Sequence, residues 1–341
     1  MDLCGSVFLV LLALGIRNEV TEAVNDPMVM KSLFENFIQR YNRVYITPAE
    51  REKRLRIFAE NLKRYEEMNK ADMGTAVYGV DQFSDISVEE FKRKYLMSEP
   101  NIPQDVTHAI YDGPELIKKP PKAFDWRTKG VVTPVKYQRP GCSAGWAFSA
   151  SAVIESAYAI KYNETFDLSE QQIVDCDSKS MGCKGGWAKD AIKYVIQAGG
   201  LESTLAYRYR GIVQNCSFNA SAVIAKVKSL EILPQNEKKM MAYLHSKGPI
   251  SVHIDPSAMM GYGGGISHPS ESMCKKDGAY ASHALAIGGY GVAGWEKKEK
   301  IPYWIMKNSW NKRFGDQGYY YFYRGDKSCG ITNFPCSAVI A

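Results

Sequence analysis

The chain has 341 residues, enough for about two domains and an ample buried core. Its 45% hydrophobic and 23% charged residues describe an ordinary globular protein. A net charge of +6, with no basic run and no groove-reading motif, argues against a nucleic-acid surface.

In chain order, the first feature is the apolar run "VFLVLLALGI", Val7 to Ile16, followed by polar "RNEVTEA". It reads as an export signal over residues 1–23 with a cut near Ala23, although the leading residues carry Asp2 and no basic side chain. The run is shorter than the ~20 apolar residues that cross a bilayer, and no other span is present. With Cys4 in this segment, seven of eight cysteines remain: six can pair in an oxidising lumen and one is left over. Sequons at Asn163, Asn215 and Asn219 fit the same secretory route, to the lysosome or the extracellular space.

Residues 24–120 form a different texture, cysteine-free and rich in alternating charge. "ITPAEREKRLRIFAENLKRYEEMN" predicts a helix with Thr47 at the N-cap, Pro48 at N1 and Glu50 completing a capping box. Glu50, Arg54, Phe58, Asn61, Tyr65 and Asn69 share one stripe of that helix. An amphipathic packing face alone does not explain asparagines and an ion pair among the aromatics. "YGVDQFSD" reads as a short extended segment, Ser87 as the start of a short helix, and residues 98–121 as a proline-rich linker.

From about Pro121 the pattern changes. A long helix is predicted from about Ala144 to Tyr162. A second follows Ser169, with Leu168 and Ile173 at staple positions. After Gly248–Pro249 the runs "ISVHID", "HALAIGGYGV", "PYWIMKNSW" and "GYYYFYRG" read as strands. Helices first and strands later imply an α+β chain with two unlike lobes.

On these residues the chain resembles the papain family of cysteine proteases, in its cathepsin L-like branch with an inhibitory prodomain. The six-residue stripe resembles the family's E-R-F-N-I-N motif, with Tyr65 for isoleucine. "GVDQFSD" resembles G-x-N-x-F-x-D, with Asp81 for asparagine. "GCKGG", "SHALAIGGYG" and "YWIMKNSWNKRFGDQGYYY" match segments of the mature enzyme. The resemblance implies a papain-like two-lobed fold, with helical and β-barrel lobes, over residues 121–341. It implies a prodomain over 24–120 that lies in the active-site cleft.

By the same resemblance His283 is the general base, Asn308 its orienter, Gln138 an oxyanion donor and Trp310 the shield of the His–Asn bond. A thiol protease needs a thiolate, which an imidazolium partner stabilises, and an oxyanion donor is worth about 3–4 kcal/mol. The match fails at the nucleophile. The family reads Q-G-x-C-G-S-C-W and this chain reads "QRPGCSAGW". With Trp146 as anchor, Gly145 stands at the nucleophile position. Ser143 and Ala144 replace glycine and serine, and one extra residue lies between Gln138 and Cys142. That insertion is expected to shift Gln138.

The resemblance further implies disulfides Cys142–Cys183, Cys176–Cys216 and Cys274–Cys329, with Cys336 a buried free thiol. Gly185, Gly186, Trp187, Ala188 and His253 fall at the substrate cleft, where Trp187 and His253 are expected to narrow a pocket. Phe314 replaces a second tryptophan. No paired C-x2-C spacing marks a zinc site, and neither a metal nor any other cofactor is expected. The resulting expectation is a peptidase homologue without proteolytic activity that binds peptides, proteins or cystatin-like inhibitors in its cleft. An active cysteine-type endopeptidase is the alternative, and a storage role the third.

Overall fold

The computed structural model describes residue 15 and residues 19–98, 120–274, 280–294 and 300–341. Most of the expected export signal and nearly all of the expected linker lie outside the described residues. Ala23, near the expected cut, sits in a helical turn and is buried. Among the described residues, no helix is long and apolar enough to cross a membrane.

After a helical segment over residues 19–25, the described N-terminal part carries the helices α1 (Pro27–Tyr41), α2 (Pro48–Ala71) and α3 (Val88–Tyr95), with a two-residue strand β1 (Val77–Tyr78) before α3. Thr47 caps α2 by accepting from the Glu50 N–H at 3.1 Å, but the Glu50 carboxylate turns to Arg54 (2.6 Å) instead of closing the box. The full capping box belongs to α3, where Ser87 and Glu90 bond reciprocally.

The stripe on α2 has a definite job. Arg54 pairs with Glu90, and the Asn61 amide donates to the carbonyls of Ser84 and Ile86 at 2.9 Å each. Asn69 both donates to and accepts from Tyr78, at 2.7 and 2.8 Å. Polar residues share the stripe with aromatics because residues 78–86 are mostly irregular and their backbone groups need partners. Only Val77–Tyr78 is extended, pairing antiparallel with Tyr262–Gly264 of the C-terminal part.

The C-terminal part begins with β2 (Phe124–Asp125). Its helical lobe holds α4 (Gly145–Tyr162), α5 (Glu170–Cys176) and α6 (Ala188–Ala198), with β3 (Leu201–Glu202) paired to β4 (Val223–Ala225). Ser169 caps α5 through the Gln172 N–H (3.0 Å), and Leu168 and Ile173 are fully buried beside it. The remaining elements are β5 (Val227–Ile232), α7 (Glu237–Ser246), β6 (Ile250–Ile254), β7 (Tyr262–Gly264), β8 (Ile266–Ser267), β9 (His283–Ala293), β10 (Ile301–Lys307), β11 (Tyr319–Tyr323) and β12 (Cys336–Ile340). The main sheet runs β5-β12-β6-β9-β10-β11-β8, with β2 against β9.

Two cores result. One packs α4, α5 and α6 against β12 and the start of β9. The other joins the sheet lobe to the N-terminal helices, so that Phe34, Phe58, Phe83 and Phe91 lie in the same cluster as Trp304, Trp310 and Tyr320. The N-terminal region is therefore continuous with the sheet lobe through apolar packing. Disulfides join Cys142–Cys183, Cys176–Cys216 and Cys274–Cys329, while Cys336 is a buried free cysteine at the start of β12.

Candidate active site

His283 opens β9 and Asn308 directly follows β10, so adjacent antiparallel strands bring the two side chains together. His283 Nε2 and Asn308 Oδ1 are 2.8 Å apart. The same oxygen accepts the Ser309 N–H at 2.7 Å, which makes it the acceptor and places the imidazole proton on Nε2. Trp310 stacks on the imidazole with ring centres 4.4 Å apart and an interplanar angle of 25°. Burial lowers the His283 pKa to about 4, against a smaller opposing effect of the Asn308 bond. The ring is therefore neutral over the physiological range.

Gly145 faces this imidazole from the first position of α4. A Cβ added there would lie 2.7 Å from both Nδ1 and Cε1 of His283, closer than real side chains approach. The ring thus occupies space that any side chain at position 145 would need. Ala144, the N-cap of α4, supplies no side-chain cap.

The extra residue before Cys142 is absorbed locally. Arg139 and Gly141 adopt positive φ angles of 64° and 90°, a conformation that costs a non-glycine residue about 1–2 kcal/mol. Gln138 is bonded to Ser309. Its backbone N–H donates to Ser309 O (2.9 Å) and its side-chain oxygen accepts from the Ser309 hydroxyl (2.8 Å). These bonds tie Gln138 to the residue after Asn308, while its amide donates to Tyr95 O at 3.0 Å and Cys142 O at 3.1 Å.

The expected pocket residues meet in a filled wall. Trp187 packs on His253 with ring centres 4.4 Å apart and on Phe334 at 4.5 Å. The Ala188 N–H donates to His253 Nε2 at 3.2 Å. Burial, then His283 and Lys189, lower the His253 pKa to about 3, so this ring is also neutral. A cavity of about 10 Å³, room for one water at most, remains among Trp187, His253, Phe334 and Cys336. On the cleft side, Met97 of the N-terminal part packs with Trp187, Ala281 and Phe334. Its thioether accepts the Gly186 N–H at 3.3 Å, and its side chain fills the space beside Gly185.

Phe334, Met97 and Ser309 are site residues that sequence reasoning missed. Phe334 and Met97 lie in stretches with no periodicity, and only the fold brings them to the cleft. Elsewhere, Glu155, Asp167 and Glu170 lie close enough to share a cation, but the Lys136 ammonium already sits among all three. The sequon residues Asn163, Asn215 and Asn219 are exposed.

Comparison with known proteins matches the architecture. Residues 120–339 match the papain family cysteine protease model, and residues 34–91 match the cathepsin propeptide inhibitor domain. Cathepsin F of Drosophila melanogaster is 40% identical over 91% of this chain, and cathepsin F of Mus musculus is 37% identical over 91%. The chain spans 50% and 65% of those two relatives, whereas it covers 99% of cysteine proteinase 1 of Dictyostelium discoideum at 34% identity. Digestive procathepsin L2 of Tenebrio molitor superposes with a TM-score of 0.80 at 31% identity, over 91% of this chain and 99% of that one. The chain belongs to the papain family of cysteine proteases and carries the family's inhibitory propeptide at its N-terminal end.

Proposed function

We propose that this chain is a cathepsin homologue that holds peptide in its cleft without cleaving it. The observation that carries this reading is Gly145, which puts hydrogen where the family's pattern places the attacking sulfur. A thiolate and its acyl intermediate need that atom. The neutral His283, whose ring fills the space a side chain at position 145 would need, supports the reading, because no anion opposes it to keep it charged.

Direct water attack assisted by His283 is the chemistry left to such a site. A hydrolase stripped of its catalytic residues retains only about 10³–10⁴ over the uncatalysed rate through binding and oxyanion contacts. The rival reading, a working cysteine endopeptidase, is favoured by the retained His283–Asn308 bond under Trp310. On the leading reading the protein travels the secretory route to lysosome or extracellular space, with glycans at Asn163, Asn215 and Asn219. Its partners are its own propeptide and peptide or cystatin-like protein ligands.

The two readings separate in one assay. The chain is cut between residues 99 and 119 by a site-specific protease, the propeptide is removed, and the remainder is offered fluorogenic peptides at pH 5–7 and a thiol-directed active-site probe. No labelling and no inhibitor-sensitive turnover is the expected result. Substantial turnover abolished by the probe would sink the proposal.

A further inference from the structure

The rebuilt loop donates to three successive carbonyls of the propeptide. The Gly141 N–H reaches Lys94 O at 2.8 Å, the Gln138 amide reaches Tyr95 O at 3.0 Å, and the Ser143 hydroxyl reaches Leu96 O at 2.6 Å. Lys94 and Tyr95 end α3, where carbonyls lack intrahelical partners and need others. The chain then continues in the cleft, with Met97 N–H on Ser282 O (3.0 Å) and Ser98 N–H on Lys184 O (3.2 Å). Both Gln138 and Ser143 are buried, so these bonds are made away from water.

Two of the three donors come from the positions that break the family pattern. The Gly141 amide is part of the kinked 139–141 segment that absorbs the inserted residue. The Ser143 hydroxyl exists only because serine stands where the pattern has glycine. We infer that the loop from Gln138 to Ser143 has become a peptide-backbone clamp whose occupant is the chain's own segment Lys94–Ser98. Its ligand chemistry is a helix C-terminus running into extended backbone, followed by one unbranched apolar side chain in the Met97 position. That side chain rests on Trp187, Ala281 and Phe334. The inference deepens the non-cleaving reading: an active protease must release this segment, and here the altered residues hold it. Ser143 and Met97 are then the specificity-determining residues, and the propeptide remains bound after the chain is cut.

The test uses the full chain cut between residues 99 and 119, with propeptide release followed by size-exclusion chromatography and a dissociation time course. The wild-type propeptide is expected to co-elute with the rest of the chain after dilution. Ser143→Ala is expected to speed release about tenfold, the scale of one buried hydrogen bond. Ser143→Thr, which keeps the hydroxyl, is expected to restore slow release. Met97→Asp is expected to speed release about a hundredfold by placing a charge on the apolar seat. Unfolding midpoints of the uncut variants verify that each one folds. Release of the wild-type propeptide on dilution, or a folded Ser143→Ala chain that releases at the wild-type rate, overturns the clamp. Peptide hydrolysis by the wild type would overturn the proposed function instead, and release rates read the clamp independently of it.

Discussion

The two walls of the cleft differ in how they are held. On the sheet side, His283 and Asn308 ride on neighbouring strands and Trp310 is enclosed by Phe83, Phe91 and Phe314, all edge-on at 5.1–5.4 Å. Tyr95 adds a fourth ring at 6.1 Å. On the loop side, residues 138–145 contain an insertion, two positive φ angles and a helix start without a side-chain cap. The sheet wall meets the propeptide through aromatic packing, whereas the loop wall, itself buried, meets it through hydrogen bonds to the carbonyls of Lys94, Tyr95 and Leu96. The contrast teaches that an intact His–Asn–Trp group is weak evidence for catalysis in this chain. Packing alone gives those residues a reason to stay.

The strongest way to break this comparison is Trp310→Ala. If the tryptophan is chiefly a docking residue, its removal leaves a cavity in the shared aromatic cluster and costs about 3–5 kcal/mol of stability. Denaturant unfolding measures this directly. A loss below 1 kcal/mol would mean the sheet wall owes its composition to something other than packing.

A smaller effect concerns Asp81, the acid that stands where the family motif has asparagine. It is buried beneath Tyr65 and accepts the Gly261 N–H of the C-terminal part at 2.8 Å. Burial raises its pKa to about 6, against the lowering effects of the Gly261 and Phe83 amides, the Ser84 hydroxyl and the Tyr65 hydroxyl. Between pH 4 and 6 the folded chain keeps a proton that the unfolded chain has lost, so this residue's contribution to stability declines as pH rises. Two pKa units correspond to about 3 kcal/mol. His253 and His283, lowered from 6.5 to about 3 and 4, act with the opposite sign over a span that includes this window, so wild type and variant must be compared at matched pH. Asp81→Asn is expected to gain on the wild type by about that amount from pH 4 to 6. Parallel stability curves would refute the assignment.

Much of this arrangement is legible in the sequence where one face repeats. The α2 stripe, the Ser169 cap, and the His283 and Asn308 strands all follow from spacing or motif. Other parts are hidden for physical reasons. β12 is buried on both faces, so it shows no alternation. The helix α6 does show a periodic face in the sequence, with Ala188, Ala191, Ile192 and Val195 buried. Met97 and Phe334 meet across the cleft from opposite ends of the chain, and no local pattern encodes a contact of that kind. The role of Ser143 is hidden in the same way, because its partner is a backbone carbonyl 47 residues away.

On the non-cleaving reading, the missing side chain at position 145 silences the site. This is tested most directly by comparing wild type, Gly145→Ala and Gly145→Cys after cutting between residues 99 and 119 and removing the propeptide. Each is assayed for thiol-probe labelling and for peptide turnover. Both substitutions push against His283, whose ring must move to admit a Cβ, so the alanine variant controls for that displacement. Only Gly145→Cys is expected to label and to turn over peptide, at least about a hundredfold above the other two. Inhibitor-sensitive turnover by the wild type, equal to that of the cysteine variant, would contradict it.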